Sequence, residues 1–209
     1  MKTDELINIL SQSPQPKTPL SLKYALALIL LASIIVTLSV LGLRPDLAHI
    51  AADLTALHKT ILLASILWIA GWALVNSAKP LPEKKNFAIC PWLLVGLFGG
   101  SIAFEWFTTP SNEILALFLL PNFSVCLIAV TTYGAIGAVF LTWLMKSYAP
   151  AHEKKTGILI GLAAAGAGAL GYSIHCPVDS PTFITIAYGL PVLVISAVTG
   201  LLAPRFIKW

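Results

Sequence analysis

The apolar residues of this chain come in blocks about twenty residues long, and no other feature of the sequence restricts its fold as much. A block of that length, coiled at about 1.5 Å per residue, crosses a hydrocarbon layer of about 30 Å. Lipid offers no water to the backbone, so a spanning segment must be a helix or part of a closed barrel. The strict apolar/polar alternation of a barrel strand is absent, which leaves a helical bundle. Composition agrees. Of 209 residues, 57% are hydrophobic and 11% charged, with a mean hydropathy of +0.87. A soluble domain needs about a quarter of its residues charged to cover its surface. No cleavable signal peptide is expected, because the first apolar block follows some twenty polar residues and is longer than a signal's apolar region.

Six spans are expected, at about 24–43, 60–78, 88–107, 124–145, 156–175 and 183–202. The all-α domain would occupy residues 24–209, preceded by a polar segment, 1–23. Residues 113–121 are apolar but interrupted by Pro121, and read as an interfacial or re-entrant helix leading into the fourth span. Gly157, Gly161, Gly166, Gly168 and Gly171 lie in the fifth span, where small residues let helices approach closely. In segment 1–23, Thr3 or Asp4 can cap a short helix, and Glu5 suits its positive end. Leu6, Ile7 and Leu10 then share one face, and the prolines at 14, 16 and 19 end the helix and make a tether.

Charge sets the orientation. With the N-terminus inside, 11 of the 13 basic residues are cytoplasmic, and only Arg44 and Lys59 lie outside. An even number of spans keeps these sets apart, so both termini are expected in the cytoplasm. The net charge of +4 and pI of about 9.0 therefore read as topology marking. Basic residues scattered singly or in pairs argue against direct nucleic-acid binding.

Candidate chemistry gathers at the outer end. Cys126 and Cys176 fall there, and Cys90 falls near the opposite end of the third span. The outer pair reads as a disulfide, a redox-sensitive dithiol, part of a metal site, or two unrelated buried cysteines. His175-Cys176-Pro177-Val178-Asp179-Ser180-Pro181 is the densest polar cluster. Imidazole, thiolate and carboxylate suit a metal, with Cys126, His175 and Cys176 as the candidate ligands. The same run also reads as a tight turn in which Asp179 and Ser180 cap the sixth helix. Glu105, near a span end, should face the bundle or water, most simply as a snorkelling carboxylate. Phosphate-loop, zinc-protease and nucleophile-elbow motifs are missing, so no enzyme is expected.

Several motifs together resemble one family. Met1-Lys2-Thr3-Asp4-Glu5-Leu6-Ile7 opens the chain, and Leu43-Arg44-Pro45-Asp46-Leu47 follows the first span. The Cys126 segment, the His175–Pro181 turn and the basic-aromatic C-terminus complete the pattern, in order and over essentially the whole chain. The chain resembles the negative-regulator-of-sigma-F (NrsF-like) family of bacterial membrane anti-sigma factors. That resemblance implies a multi-pass protein of the bacterial inner membrane. It would sequester an extracytoplasmic-function sigma factor and release it on a periplasmic metal or oxidative signal. The family's cysteine pair maps onto Cys126 and Cys176. Signal sensing would fall to Cys126, His175, Cys176 and Asp179. The sigma factor would be met by Asp4, Glu5, Leu6, Ile7 and Leu10, since helix-in-groove docking is a common recognition mode. The alternative is a small membrane transporter or metal-handling protein. A third reading is a quinone-linked thiol enzyme.

Overall fold

The computed structural model describes residues 20–44, 54–79, 89–148 and 150–207. The expected N-terminal helix with Asp4, Glu5, Leu6, Ile7 and Leu10 lies outside the described residues, as do Asp46, His49, Asp53, Lys84 and Lys85. All regular structure among the described residues is helical. The elements are α1 (Leu22–Val40), α2 (Leu54–Ser77), α3 (Ile89–Thr108), the short α4 (Ser111–Ala116), α5 (Pro121–Met145), α6 (Glu153–Tyr172) and α7 (Pro181–Phe206). Four of them, α1, α2, α5 and α7, are long and apolar enough to cross a membrane. Helix α3 is apolar over Leu94–Thr108.

Helix boundaries depart from the expected spans where a buried face continues. The second helix starts at Leu54, six residues ahead of the expected span, so His58 and Lys59 are helical and not loop residues. Ala56, Lys59, Leu62, Leu63, Ile66 and Ala70 recur every three or four residues on its buried face, and that periodicity carries the helix outward. The sixth long helix runs beyond 202 to Phe206, and the fifth stops at Tyr172. The break at Pro121 is where the sequence puts it. Helix α4 tightens into a 3₁₀ turn, Leu117–Leu119, Leu120 is extended, and Pro121 opens α5, where its missing N–H is not needed.

Helix α6 is the axis of the bundle, packed against α1, α2, α5 and α7. Each neighbour meets a different glycine. A Cβ on Gly157 or Gly161 would collide with Thr199 and adjacent atoms of α7, and one on Gly171 with Ser33 of α1. A Cβ on Gly168 would lie 2.8 Å from that of Tyr133 in α5, and one on Gly166 would lie 3.0 Å from Ile66 of α2. The alanines between them are fully buried. Around this axis the outer surface is apolar: Trp68, Trp92, Phe107 and Leu119 are each more than 70% exposed.

Side-chain contacts sort the helix ends into two groups. At one end the Tyr148 hydroxyl donates to the Leu20 carbonyl, and Thr156 donates to Ser77. At the other end Arg44, Lys59, Glu105, Cys126, Cys176 and Thr182 come together.

This packing yields a paired prediction. Gly161→Ala should destabilise the detergent-solubilised chain by about 1–3 kcal/mol, the usual cost of overpacking. Gly99→Ala should be neutral or slightly stabilising, because nothing lies within 4 Å of a Cβ there. Thermal unfolding of both variants checks this. Equal effects would show that α6 is not the packing axis.

Candidate functional site

The two cysteines are brought together by elements far apart in sequence. Cys126 sits in the second turn of α5, fixed by its helix and wholly buried. Cys176 lies in the turn between α6 and α7 and is equally buried. Both are free thiols, and the Cys126 S–H donates to the Cys176 sulfur across 3.4 Å. The Tyr172 hydroxyl, from the end of α6, is 3.5 Å from the Cys126 sulfur, and that of Tyr188 is 4.0 Å away. Tyr188 is carried on a π-turn, Thr185–Gly189. Pro191 follows it and has no N–H for the Ala187 carbonyl, a common cause of such local widening. Phe118, Phe123 of α5 and Phe183 of α7 pack against one another in stacked and edge-on pairs.

A buried ion cluster fastens the Cys176 turn. Arg44, just past α1, forks onto the Asp179 carboxylate at 3.2 and 2.9 Å and reaches the Pro177 carbonyl at 3.5 Å. Lys59 of α2 pairs with the same carboxylate at 2.5 Å. It also donates to the carbonyls of Cys176 and Val178 at 2.7 and 3.1 Å. All three side chains are at least nine-tenths buried. The backbone adds a bond from Arg44 N–H to the Ile174 carbonyl. Gly42, which ends α1 at φ +80°, turns its carbonyl to His175 Nδ1, and a carbonyl only accepts, so Nδ1 carries the proton.

Of the residues the sequence nominated, Cys126 and Cys176 meet directly. Asp179 is beside them but is held by Arg44 and Lys59, and Ser180 alone caps α7, accepting from Phe183 N–H. His175 packs near the Tyr172 ring, its Nδ1 engaged by Gly42. Among the described residues no three His, Cys, Asp or Glu side chains converge to hold a metal ion. The donor set present is a dithiol, which suits redox chemistry. Glu105 is not a snorkelling carboxylate: it is buried and accepts from Thr182 N–H at 2.7 Å, serving the positive end of α7. Trp106 donates to the Thr182 hydroxyl beside it. Cys90 lies in the first turn of α3. Tyr172 and Tyr188 were not singled out from the sequence, and Arg44 and Lys59 were named there as outer cations, Arg44 also within the Leu43–Leu47 motif, with no role at the site. One signal was available: Arg44 and Lys59 are the only basic residues expected on the side that holds Asp179.

The Cys176 thiol is lowered to about 6, first by the hydrogen bond from Cys126. Burial opposes this, while the Tyr188 hydroxyl, the Lys59 charge and the Val178 amide reinforce it. At neutral pH Cys176 is therefore the nucleophile of the pair, because the thiolate is the reactive form. Its alkylation rate by iodoacetamide, read by peptide mass, should rise with pH through a midpoint near 6. Cys126→Ala removes the main donor and should move that midpoint up toward the ordinary thiol range. A wild-type midpoint already in that range would contradict the assignment.

The family model described as "Negative regulator of sigma F" matches residues 7–209. The chain is 26% identical over 216 aligned positions to "Anti-sigma-F factor NrsF" of Caulobacter vibrioides, with the whole of both chains covered. No solved structure matches it.

Proposed function

The chain belongs to the negative regulator of sigma F family, and we propose on that footing that it is an integral-membrane anti-sigma factor of the bacterial inner membrane. It holds an extracytoplasmic-function sigma factor at the cytoplasmic face and releases it when an oxidant outside the membrane joins Cys126 to Cys176. The observation that carries this reading is the pair of sulfurs 3.4 Å apart, at the end of the bundle opposite Leu20, where the N-terminal segment begins. The role is regulatory and not catalytic.

Six crossings with both termini inside fit the distribution of charge and the apolar girdle. Helix α6 is less hydropathic than its neighbours because it is built of glycine and alanine. It is also the most enclosed, so it needs little lipid-facing surface. Arg44 and Lys59, the two cations assigned to the outside, are those paired with Asp179. The sigma-binding element is the segment with Asp4, Glu5, Leu6, Ile7 and Leu10, the one tethered apolar face among the short cytoplasmic stretches.

Oxidation balances within the pair. The Cys176 thiolate attacks a hydroperoxide oxygen, the O–O bond breaks, and water or an alcohol leaves with one proton. The Cys126 thiol then attacks the sulfenic sulfur, a second oxygen leaves as water, and a disulfide forms. Two electrons pass from the sulfurs to the peroxide. To switch binding, the disulfide must favour the releasing state by a few kcal/mol.

Pull-down of the chain from native membranes should bring a sigma factor with it. Deleting residues 1–14 should abolish that capture while leaving the membrane-embedded amount unchanged; retained capture would sink the docking assignment. Cys126→Ser combined with Cys176→Ser should bind the sigma factor and ignore peroxide, and an unaltered peroxide response would remove the dithiol from the mechanism.

A further inference from the structure

Between α5 and α7 the side of the bundle carries a groove of about 510 Å³. Small-molecule sites usually enclose about 300–1,000 Å³. Thr131, Ala135, Ala138, Thr142 and Lys146 line the groove along α5, at the three- and four-residue spacing of one helix face. Val194, Val198, Leu202 and Phe206 line it along α7 at the same spacing. It begins past Cys126 in α5 and ends at Lys146, where Tyr148 meets Leu20.

The lining is chemically hydrocarbon. Its three threonines, 131, 142 and 199, donate their hydroxyls to the Leu127, Ala138 and Ile195 carbonyls of their own helices. No hydroxyl proton is left for a polar ligand, and the methyl groups join the valines and alanines. The groove is also slender. From Thr131 to Lys146 is about 22 Å of helix, so the section is about 25 Å², where a helix about 10 Å across needs about 80 Å². A polymethylene chain, about 4–5 Å across by carbon contact distances, fits. That length is about half of a bilayer 40–45 Å thick with its headgroups.

Charge marks one end. Lys146 closes the groove, is exposed, and its ammonium has no hydrogen-bond or ion-pair partner among the described residues. Among those residues the same end also holds Lys154, Lys155 and Arg205, against the single carboxylate of Glu153. Trp143 lies beside Lys146 in the lining and stacks on Phe140 at 6.3 Å, a side chain suited to headgroup level. Basic pockets between helices on the cytoplasmic side are sites for anionic headgroups.

We propose that the groove between α5 and α7 binds one anionic phospholipid of the leaflet on the Lys146 side, an acyl chain lying along the groove and the phosphate meeting the Lys146 ammonium. The site needs the chain to lie in a membrane, as in the function proposed above, and needs neither the sigma factor nor the dithiol.

The first test puts the full chain into phosphatidylethanolamine vesicles carrying phosphatidylglycerol with a diazirine near the end of one acyl chain. Crosslinks read by peptide mass should concentrate on residues 131–138 and 194–198. The same diazirine chain on phosphatidylethanolamine should label them about threefold less or weaker still. Labelling spread evenly to the exposed rings of Trp68 and Phe107 would mean annular lipid only and overturn the site. Crosslinks from the groove to a second copy or another protein, with no lipid there, would overturn it too.

The second test counts lipids retained by the purified full chain, by native mass spectrometry, after mixing with either phospholipid. Lys146→Gln should cut phosphatidylglycerol retention by about fivefold and leave phosphatidylethanolamine unchanged. Val198→Trp plugs the groove from a half-exposed position and should cut retention of both by about tenfold. Wild-type retention in Val198→Trp, or equal retention of the two lipids by the wild type, would overturn the proposal. If Val198→Trp does not accumulate, the crosslinking pattern decides. A chain absent from the membrane fraction would sink the lipid site and the proposed function together, whereas failure to capture a sigma factor counts against the proposed function alone.

Discussion

The absence of a side chain at five glycines of α6 is the constraint on which the rest of the molecule depends. Between helices in lipid there is little hydrophobic drive, so association rests on close van der Waals contact and on interhelical hydrogen bonds. Five glycines let α1, α2, α5 and α7 each come within backbone reach of the same axis. The approach is close enough for polar groups to meet across the bundle. Ser33 of α1 reaches the Ala167 carbonyl at 3.4 Å, and Thr37 donates to the Tyr133 hydroxyl at 3.2 Å. Once four helices are held to one axis, their ends have little freedom. Five separate segments then deliver Arg44, Lys59, Cys126, Tyr172 and Cys176 to one small volume.

A cluster built this way carries a standing cost. Two cations, a carboxylate and two sulfurs are withdrawn from water, and a buried ion group is weak evidence of stability, since well-packed apolar residues often serve as well. What the ions provide here is position. Lys59 bonds to two carbonyls of the turn, and Arg44 bonds to another carbonyl and to the carboxylate. An apolar replacement would fill the space without fixing the backbone of residues 176–179. Every buried side-chain nitrogen and oxygen among the described residues has a partner, which is the condition for such a network to hold one arrangement.

Much of this was legible in the sequence, and what was not shares a common reason. Helical spans, the stop at Pro121, the close-packing role of the α6 glycines and the Ser180 cap each follow from residues near one another in the chain. So does the common end of the bundle at which Cys126 and Cys176 fall, because successive helices alternate in direction. The pairing of Asp179 with Arg44 and Lys59 bridges more than a hundred residues, and no local pattern encodes it. Lys59 misled in a further way: a lysine after a polar stretch reads as a loop residue, whereas here the helix runs outward past it because its partner is buried. Glu105 was misjudged for the same reason, since its acceptor role depends on the start of α7, 77 residues away. The π-turn had a local signal in Pro191, inside an apolar run, but its effect on Tyr188 is tertiary.

Burial of the dithiol then has a physical consequence for selectivity. Reactive cysteines usually combine a lowered pKa with partial exposure. Cys176 has the first without the second: its thiol is lowered to about 6 and its side chain is enclosed. Under the proposed function, that enclosure would favour hydroperoxides small enough to pass a slightly lifted turn over bulky disulfides such as oxidised glutathione. The partner thiol is already in contact, so a sulfenic acid formed on Cys176 meets Cys126 at once and closes to a disulfide before a second peroxide can drive it to the irreversible sulfinic state. In the proposed mechanism, the enclosure that slows the first oxidation would thereby protect the second step and keep the site reversible.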